Sequence, residues 1–180
     1  RDRIRSGTII DKDLIHAAKK LQVIGRAGVG VDNIDLPAAT QKGIIVMNTP
    51  DVNTVSAAEH TIGIMLSLAR NISIANQRLN SGKWDRNNLV GTELRNKTIG
   101  IVGLGKIGRE VMTRCLSFGM RVIGCDPYIT DNIFSSDDVR LTDLDTLTKE
   151  SDFISVHVPK LDSTNNLFDL ARIKLMKYIG

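Results

Sequence analysis

The feature that most constrains the fold is a glycine-rich turn that joins a short apolar run to a helical pattern. Thr98 to Val102 is predicted to be a buried strand, and the residues that follow read Gly103-Leu104-Gly105-Lys106-Ile107-Gly108. Apolar residues at the spacing of a helix then follow between Val111 and Leu116. In this spacing the first glycine makes the turn, the second lets a ligand approach the backbone, and the third lets the helix pack on the strand. The free N–H groups at the helix start favour a diphosphate.

An acidic side chain at the next strand end sharpens this prediction. Arg121 to Cys125 is predicted to be the following strand, and Asp126 ends it, 18 residues after Gly108. A carboxylate at this place accepts hydrogen bonds from both hydroxyls of an adenosine ribose and disfavours a 2′-phosphate. The pattern therefore predicts NAD rather than NADP. A purely structural turn beside a solvated Asp126, or a site for S-adenosylmethionine, are the alternatives.

Strand and helix patterns alternate on both sides of this turn. The upstream elements are a strand tail at Ile4, a helix capped by Asp11, a strand from Val23, a helix from Leu36 and a strand over 44–47. The downstream elements are a short helix within 141–150, a strand over 153–158 and a helical pattern over 165–177. Such alternation is typical of parallel sheets covered by helices. The predicted fold class is therefore α/β, with a Rossmann-type parallel sheet and part of a second α/β domain.

A polar connector divides the predicted domains. Asn48-Thr49-Pro50 interrupts the alternation, and the residues to Thr54 lack a period, so we predict one domain over 1–48 and another over 49–180. Ser56-Ala57-Ala58-Glu59 then has the spacing of a capping box, which predicts a helix start. That helix is apolar on two sides, formed by Ala58, Ile62, Met65 and Ala69 and by Ile64 and Leu68. The second apolar side predicts a contact with another domain or subunit.

The distribution of charge narrows the class of partner. The net charge is +4, and residues 70–121 carry ten basic and three acidic side chains. These basic residues are scattered singly, with only Trp84 and Phe118 as aromatic neighbours, which argues against a nucleic-acid surface. The excess favours an anionic small molecule or cofactor.

The remaining composition predicts a cytoplasmic protein without a membrane segment. The apolar stretch over 57–69 is interrupted by polar residues and is shorter than a bilayer span. Cys115 and Cys125 cannot form a disulfide framework and are interpreted as small hydrophobic residues. We find no spacing of metal ligands in the sequence and no pairing of a nucleophile with a base.

A second group of polar residues falls at the predicted strand ends of the first domain. These ends carry Arg5-Ser6, Gly28-Val29-Gly30 and the amides between Asn48 and Asn53. Ligands of open parallel sheets bind outside the carboxyl ends of the strands. A guanidinium with exposed backbone N–H groups suits a small anion that carries carboxylate or phosphate. The sequence therefore predicts a substrate site here.

These motifs together resemble the D-isomer-specific 2-hydroxyacid dehydrogenase family. The resemblance covers nearly all 180 residues and is carried by 4–8 (IRSGT), 23–39 (VIGRAGVGVDNIDLPAA), 46–50 (VMNTP), 56–60, 82–84 (GKW) and the segment from Gly103 to Pro127. The run from Gly25 to Leu36 is its most specific part. The resemblance implies a Rossmann-type NAD-binding domain and part of a flavodoxin-like substrate-binding domain.

Matching positions imply roles for individual residues. Substrate contacts are implied at Arg5, Ser6, Gly28, Val29 and Gly30. Contacts with NAD are implied at Gly103, Gly105, Lys106, Ile107, Gly108, Asp126, Val158 and Pro159. Val29 and Val158 stand where relatives often carry a hydroxyl residue, so no side-chain hydrogen bond to NAD is expected from either.

The resemblance also implies an activity. It is the NAD-dependent oxidation of 3-phospho-D-glycerate, a phosphorylated 2-hydroxy acid, to 3-phosphohydroxypyruvate, the first step of serine biosynthesis. The family's catalytic Arg, Glu and His are expected after Gly180, so the 180-residue chain alone is expected to be inactive. A homodimer or larger homo-oligomer is implied, through the helix at Ser56 and an arm around Trp84. A glyoxylate or hydroxypyruvate reductase, or a non-enzymatic NAD-sensing corepressor-like module, are the alternatives.

Overall fold

The computed structural model describes residues 2–4, 7–50, 52–129 and 139–178. The chain divides into two compact units, Arg1–Thr54 and Val55–Gly180, each with its own parallel sheet. The predicted α/β class with a Rossmann-type sheet is therefore confirmed. The division falls at the far end of the predicted connector, six residues after the boundary predicted at Asn48.

The smaller unit contains a three-stranded parallel sheet in the order β1-β2-β3. Its elements are β1 Asp2–Ile4, α1 Lys12–Ala17, β2 Val23–Arg26, α2 Leu36–Gln41 and β3 Ile45–Asn48. Both helices begin at an aspartate, because the Asp11 and Asp35 side chains each accept a hydrogen bond, 2.9 Å long, from a backbone N–H of the first turn. The buried core of this unit includes Ile15, Ile24 and Ala39.

The larger unit contains a four-stranded parallel sheet in the order β6-β5-β4-β7. Helix α3 begins at Thr54, the last residue of the smaller unit. The elements of the larger unit are α3 Thr54–Ala69, α4 Ile72–Asn80, β4 Thr98–Val102, α5 Lys106–Ser117, β5 Arg121–Cys125, β6 Val139–Leu141, α6 Leu144–Glu150, β7 Phe153–Val156 and α7 Leu170–Ile173. Short 3-10 helices cover Arg86–Asn88 and Asp162–Thr164. The strand order reverses between β4 and β7, which is where open α/β sheets bind ligands.

Helices cover both faces of the larger sheet. The predicted stripe of α3 (Ala58, Ile62, Met65 and Ala69) is buried in one core with residues of β4 and α5. A second core joins Val102 and Ile123 to Leu147 of α6. All five residues of β4 are buried, as expected for the central strand of a parallel sheet. The other apolar side of α3 is exposed, with Leu68 at 72%.

Ser56 does not cap a helix, contrary to the prediction. Helix α3 begins two residues earlier, at Thr54, so Ser56 lies within its first turn. Glu59 does not complete a capping box with it, and its carboxylate lies 3.8 Å from the guanidinium of Arg114 in α5. The predicted helix is therefore confirmed, while the predicted cap is wrong.

The last predicted helix is shorter than its pattern indicated. Helix α7 covers four residues, and Asn166 adopts a left-handed conformation with φ of 53° before it. Asp169 then caps α7 by accepting a hydrogen bond from Arg172 N–H at 2.8 Å. Strand β6 was absent from the prediction, because three residues are too few to show a period. No helix in the described part of the chain is long and apolar enough to cross a membrane.

Candidate cofactor and substrate sites

The predicted phosphate-binding turn follows the central strand β4. Gly103 has φ of 90°, and a Cβ built on it would lie 2.8 Å from the carbonyl oxygen of His157. A Cβ on Gly108, in the first turn of α5, would lie 2.0 Å from the carbonyl oxygen of Gly103. Around Gly105, at the helix start, no described atom beyond its two chain neighbours lies within 4 Å of the Cβ position. The fold therefore requires two of these glycines, and the third leaves open space where a diphosphate fits.

The carboxylate of Asp126 is held beside this turn by two backbone hydrogen bonds. Leu104 N–H donates to Oδ2 at 2.8 Å, and Tyr128 N–H donates to Oδ1 at 2.9 Å. Each carboxylate oxygen has a second lone pair, so both can still accept a ribose hydroxyl. The half-buried acid is therefore already oriented for a ribose next to the diphosphate position.

Leu104 holds the centre of the turn in place, although it was not predicted to be a site residue. Its side chain is fully buried, and a Cβ on Gly124 would lie 2.6 Å from Leu104 Cδ1. Its carbonyl oxygen accepts a hydrogen bond from Arg109 Nε at 2.9 Å. The glycine spacing carries no signal for Leu104 or Arg109, because both contacts depend on how β4, β5 and α5 pack.

The other predicted cofactor residues lie at the same edge of the sheet. Lys106 and Ile107 form the first turn of α5, with Lys106 exposed and Ile107 packed against the core. Val158 Cγ1 lies 2.9 Å from the Cβ position of Gly103, and the carbonyl of Pro159 accepts a hydrogen bond from Thr164 Oγ1 at 2.6 Å. The structure therefore brings all of the predicted cofactor residues to the carboxyl ends of β4, β5 and β7.

His157 lies beside the turn as a neutral side chain. Its Nε2 is 2.8 Å from Ser155 Oγ, and burial lowers the pKa of the imidazole below its ordinary value of 6.5. The side chain therefore adds no positive charge near Gly103 at pH 7. Its backbone carbonyl, in contrast, closes the space around Gly103.

The predicted substrate glycines follow β2 in the smaller unit. A Cβ on Gly28 would lie 2.2 Å from Arg26 Nη1, and a Cβ on Gly30 would lie 2.7 Å from Asp32 Oδ1. The carbonyl of Val29 accepts a hydrogen bond from Asn48 Nδ2 at 2.7 Å, which ties the turn to the end of β3. Arg5 and Ser6 lie outside the described residues.

Arg26 joins this group, although it was not predicted to do so. Its Nε donates to Asn33 Oδ1 at 3.3 Å, and Asn33 Nδ2 donates to the carbonyl of Thr8 at 2.6 Å. The guanidinium also lies against Gly28, at the carboxyl end of a parallel strand. Such a group suits a carboxylate or phosphate. Arg26 is the last residue of β2. Because ligands of parallel sheets bind at the carboxyl ends of the strands, this position could have been identified from the sequence.

Other reactive side chains do not form a second centre. Burial raises the pKa of the Cys115 thiol to about 12, and Cys115 and Cys125 are both free. Among the residues that the structure describes, no three His, Cys, Asp or Glu side chains are grouped as metal ligands.

The fold and the turn define a dinucleotide-binding α/β domain of the kind that dehydrogenases carry. Residues 62–179 match the family described as D-isomer specific 2-hydroxyacid dehydrogenase, NAD binding domain. The chain therefore belongs to the D-isomer-specific 2-hydroxyacid dehydrogenase family, and its larger unit carries that family's NAD-binding domain.

Curated relatives are identical to the chain at about half of the aligned positions. The D-3-phosphoglycerate dehydrogenase of Methanocaldococcus jannaschii is 51% identical over 175 residues, which are 97% of the chain and 33% of that protein. The D-3-phosphoglycerate dehydrogenase of Sus scrofa is 52% identical over 174 residues, again 97% of the chain and 33% of the relative. The chain thus spans about a third of the length of these relatives.

Solved structures share the fold along nearly the whole chain. The TT0316 protein of Thermus thermophilus has a TM-score of 0.88 at 34% identity, over 97% of this chain and 56% of that one. The NAD-dependent formate dehydrogenase of Staphylococcus aureus, in complex with NAD, has a TM-score of 0.89 at 32% identity, over 97% and 53%. The D-lactate dehydrogenase of Aquifex aeolicus, with NAD and lactic acid, has a TM-score of 0.84 at 32% identity, over 97% and 53%.

Proposed function

We propose that the full-length protein is an NAD-dependent oxidoreductase that converts 3-phospho-D-glycerate to 3-phosphohydroxypyruvate. The observation that carries this proposal is the identity of 51% and 52%, along 97% of the chain, with two proteins named D-3-phosphoglycerate dehydrogenase. When bound, NAD accepts the hydride that leaves the hydroxyl-bearing carbon. The product would enter serine biosynthesis, and the expected location is the cytoplasm.

In this proposal the larger unit binds NAD through the residues at the carboxyl ends of β4, β5 and β7. The diphosphate lies over Gly105 and the start of α5, where Lys106 and Ile107 contribute backbone N–H groups. Asp126 accepts the ribose hydroxyls. Val158 and Pro159 border the adenosine and nicotinamide side. The open space at Gly105 and the oriented carboxylate support this assignment.

The smaller unit would bind the substrate through its anionic groups. Backbone N–H groups of Val29 and Gly30 meet the carboxylate, and Arg5 and Ser6 meet the phosphate. The Gly28 N–H already donates to the carbonyl of Arg26 at 3.1 Å, so Gly28 contributes close approach and not a donor. We add Arg26 to this set, because its guanidinium lies against Gly28 at the end of β2. Charge-assisted hydrogen bonds of this kind each contribute about 1.5–3 kcal/mol.

The proposed partner is a second copy of the chain, bound through α3, α4 and the segment around Trp84. Ile64, Leu68 and Trp84 are exposed by 57%, 72% and 82%. A groove of about 640 Å³ lies between α4 and the Trp84 segment, and an ion pair of Arg78 with Asp85 holds the two together. Such a concentration of exposed apolar surface is typical of a protein interface.

An assay of the full-length protein tests the proposed reaction. NAD reduction is followed with 3-phospho-D-glycerate, D-glycerate and D-lactate as substrates. Because the phosphate adds at least one charge-assisted contact, we expect kcat/KM for the phosphorylated acid to exceed the others by about 100-fold. Equal values for D-glycerate would instead favour a glyoxylate or hydroxypyruvate reductase. Tight NADH binding without any turnover would favour an NAD-sensing module.

A further inference from the structure

We infer that Arg109 is a positioning residue of the cofactor site, which orients the Leu104–Gly105 peptide so that the Gly105 N–H faces the diphosphate. This inference rests on the proposed role of the turn in NAD binding. Arg109 is not one of the residues to which the glycine spacing or the family resemblance assigns a role. The inference concerns the hydrogen bond from Arg109 Nε to the carbonyl oxygen of Leu104, which is 2.9 Å long.

The direction of the Leu104 carbonyl fixes the direction of the Gly105 N–H, because both belong to one trans peptide. In such a peptide the C=O of one residue and the N–H of the next point in opposite directions. The described peptide bonds are all trans. Because Arg109 draws the Leu104 carbonyl towards the side of α5, the Gly105 N–H points away from the guanidinium. Beyond its two chain neighbours, no described atom lies within 4 Å of the Gly105 Cβ position, so a ligand has room to reach this backbone.

The peptide on the other side of Leu104 is fixed independently. The Leu104 N–H donates to Asp126 Oδ2 at 2.8 Å, and the Gly103 carbonyl lies against Gly108. The buried Leu104 side chain anchors both peptides to the core. Arg109 is therefore the group that sets the orientation of the Leu104–Gly105 peptide. A flipped peptide would turn a carbonyl oxygen towards the diphosphate, and two negative groups would then repel each other.

The bond is not one that the helix itself needs. Arg109 is an exposed residue of α5, and its bond reaches back to a residue outside the helix. Arg114, on the same helix, pairs instead with Glu110 one turn earlier. Arg114 thus provides a matched control, since it has the same side chain in the same helix but pairs with Glu110 and with Glu59 of α3, away from the turn.

The test compares two ligands of the full-length protein, NADH, which carries the diphosphate, and adenosine, which does not. Dissociation constants are measured for NADH by its fluorescence and for adenosine by displacement of NADH. We expect Arg109→Met to weaken NADH binding about 10-fold, the effect of losing one charge-assisted hydrogen bond, and to change adenosine binding less than about 2-fold. Arg109→Lys, which keeps a donor, should recover part of the loss. Arg114→Met should leave both constants unchanged.

Two results would overturn the inference. One is an unchanged NADH dissociation constant in Arg109→Met, and the other is an equal loss of NADH and adenosine affinity, which would indicate a general effect on folding. Both results count against the inference only when the wild-type protein binds NADH. A wild-type protein that binds neither ligand would instead refute the proposed function, and the inference with it.

Discussion

The glycines of the phosphate turn differ in what each of them allows. Gly103 and Gly108 are enclosed by neighbouring backbone, and a methyl group on Gly108 would collide with the carbonyl of Gly103. Gly105 is bordered by open space and has φ of −67°, which any residue can adopt. The fold therefore does not require a glycine at this position, and under the proposed function the ligand does.

Alanine substitutions should separate these two requirements. We expect Gly105→Ala to leave the free energy of unfolding within about 0.5 kcal/mol of wild type while weakening NAD binding about 10-fold or more. Gly108→Ala should lower the free energy of unfolding by about 1–3 kcal/mol, because the helix must move away from β4. Urea unfolding and calorimetric titration with NAD measure the two effects. Gly63→Ala, in α3, is the control for stability, because no described atom outside the helix backbone lies within 4 Å of its Cβ position. Equal destabilisation by both turn variants would contradict this explanation.

Asp126 has a proposed role at the ribose and an observed one in the turn. Its carboxylate accepts the N–H of Leu104 at 2.8 Å, and we propose that it also accepts ribose hydroxyls. We therefore expect Asp126→Ala to reduce the ratio of kcat/KM for NAD over NADP by about 10-fold or more, and also to weaken binding of both cofactors. Asp126→Asn keeps an acceptor oxygen and should affect the turn less.

Kinetics with both cofactors check this expectation. Asp162→Ala, an exposed acid of a 3-10 helix, is the control. A preference for NAD that survives in Asp126→Ala would remove Asp126 from the ribose site.

At the scale of elements, Asp152 ties together segments that are distant in sequence. Its Oδ2 accepts a hydrogen bond from Thr98 N–H at 2.8 Å, at the start of β4, and its Oδ1 accepts one from Lys177 Nζ at 3.0 Å. Partial burial raises the pKa of Asp152, but these hydrogen bonds and the charges of Lys177 and Lys97 outweigh it. The pKa therefore lies below its ordinary value of 3.8.

This shift predicts how stability depends on pH. A carboxylate with a depressed pKa stabilises the folded state above its unfolded pKa, and the contribution is lost as the pH falls through the folded pKa. We expect Asp152→Asn to lower the free energy of unfolding by about 1 kcal/mol at pH 7, with the difference disappearing only below about pH 3.8. Urea unfolding between about pH 2.5 and pH 7 measures this, with Asp162→Asn as control. A difference independent of pH would show that the charge of Asp152 is not involved.

Elements with a long period were predictable, while short ones and their ends were not. The stripe on α3, the buried strand β4 and the Asp11 cap follow from local patterns that need no distant partner. Strand β6 depends on pairing with β5, and the late start of the last helix follows the left-handed Asn166. Such features are decided by tertiary contacts, which local periodicity does not encode.

At the scale of the whole molecule, the proposed interface between two copies can be tested by breaking it. Leu68→Asp places a charge in the exposed apolar side of α3, where a partner would bury it, so we expect the full-length protein to shift towards monomer. Ile9→Asp, an equally exposed apolar residue of the smaller unit, should leave the assembly unchanged. Sedimentation velocity reports the mass of both variants. If Leu68→Asp sediments like wild type, the interface lies elsewhere.

The sequence by itself determined the class of fold, the NAD-binding domain and the family, because glycine spacing, strand–helix alternation and a ribose acid are all local patterns. It also placed Gly103 and Gly108 in one turn and Asp126 at the end of the next strand. Only the tertiary structure decided that Asp126 holds Leu104, that Arg109 bonds to the Leu104 carbonyl and that Arg26 covers Gly28. The first contact joins residues 22 positions apart through the pairing of β4 with β5, and the other two depend on the backbone path of the turns after β4 and β2, which residue spacing does not record.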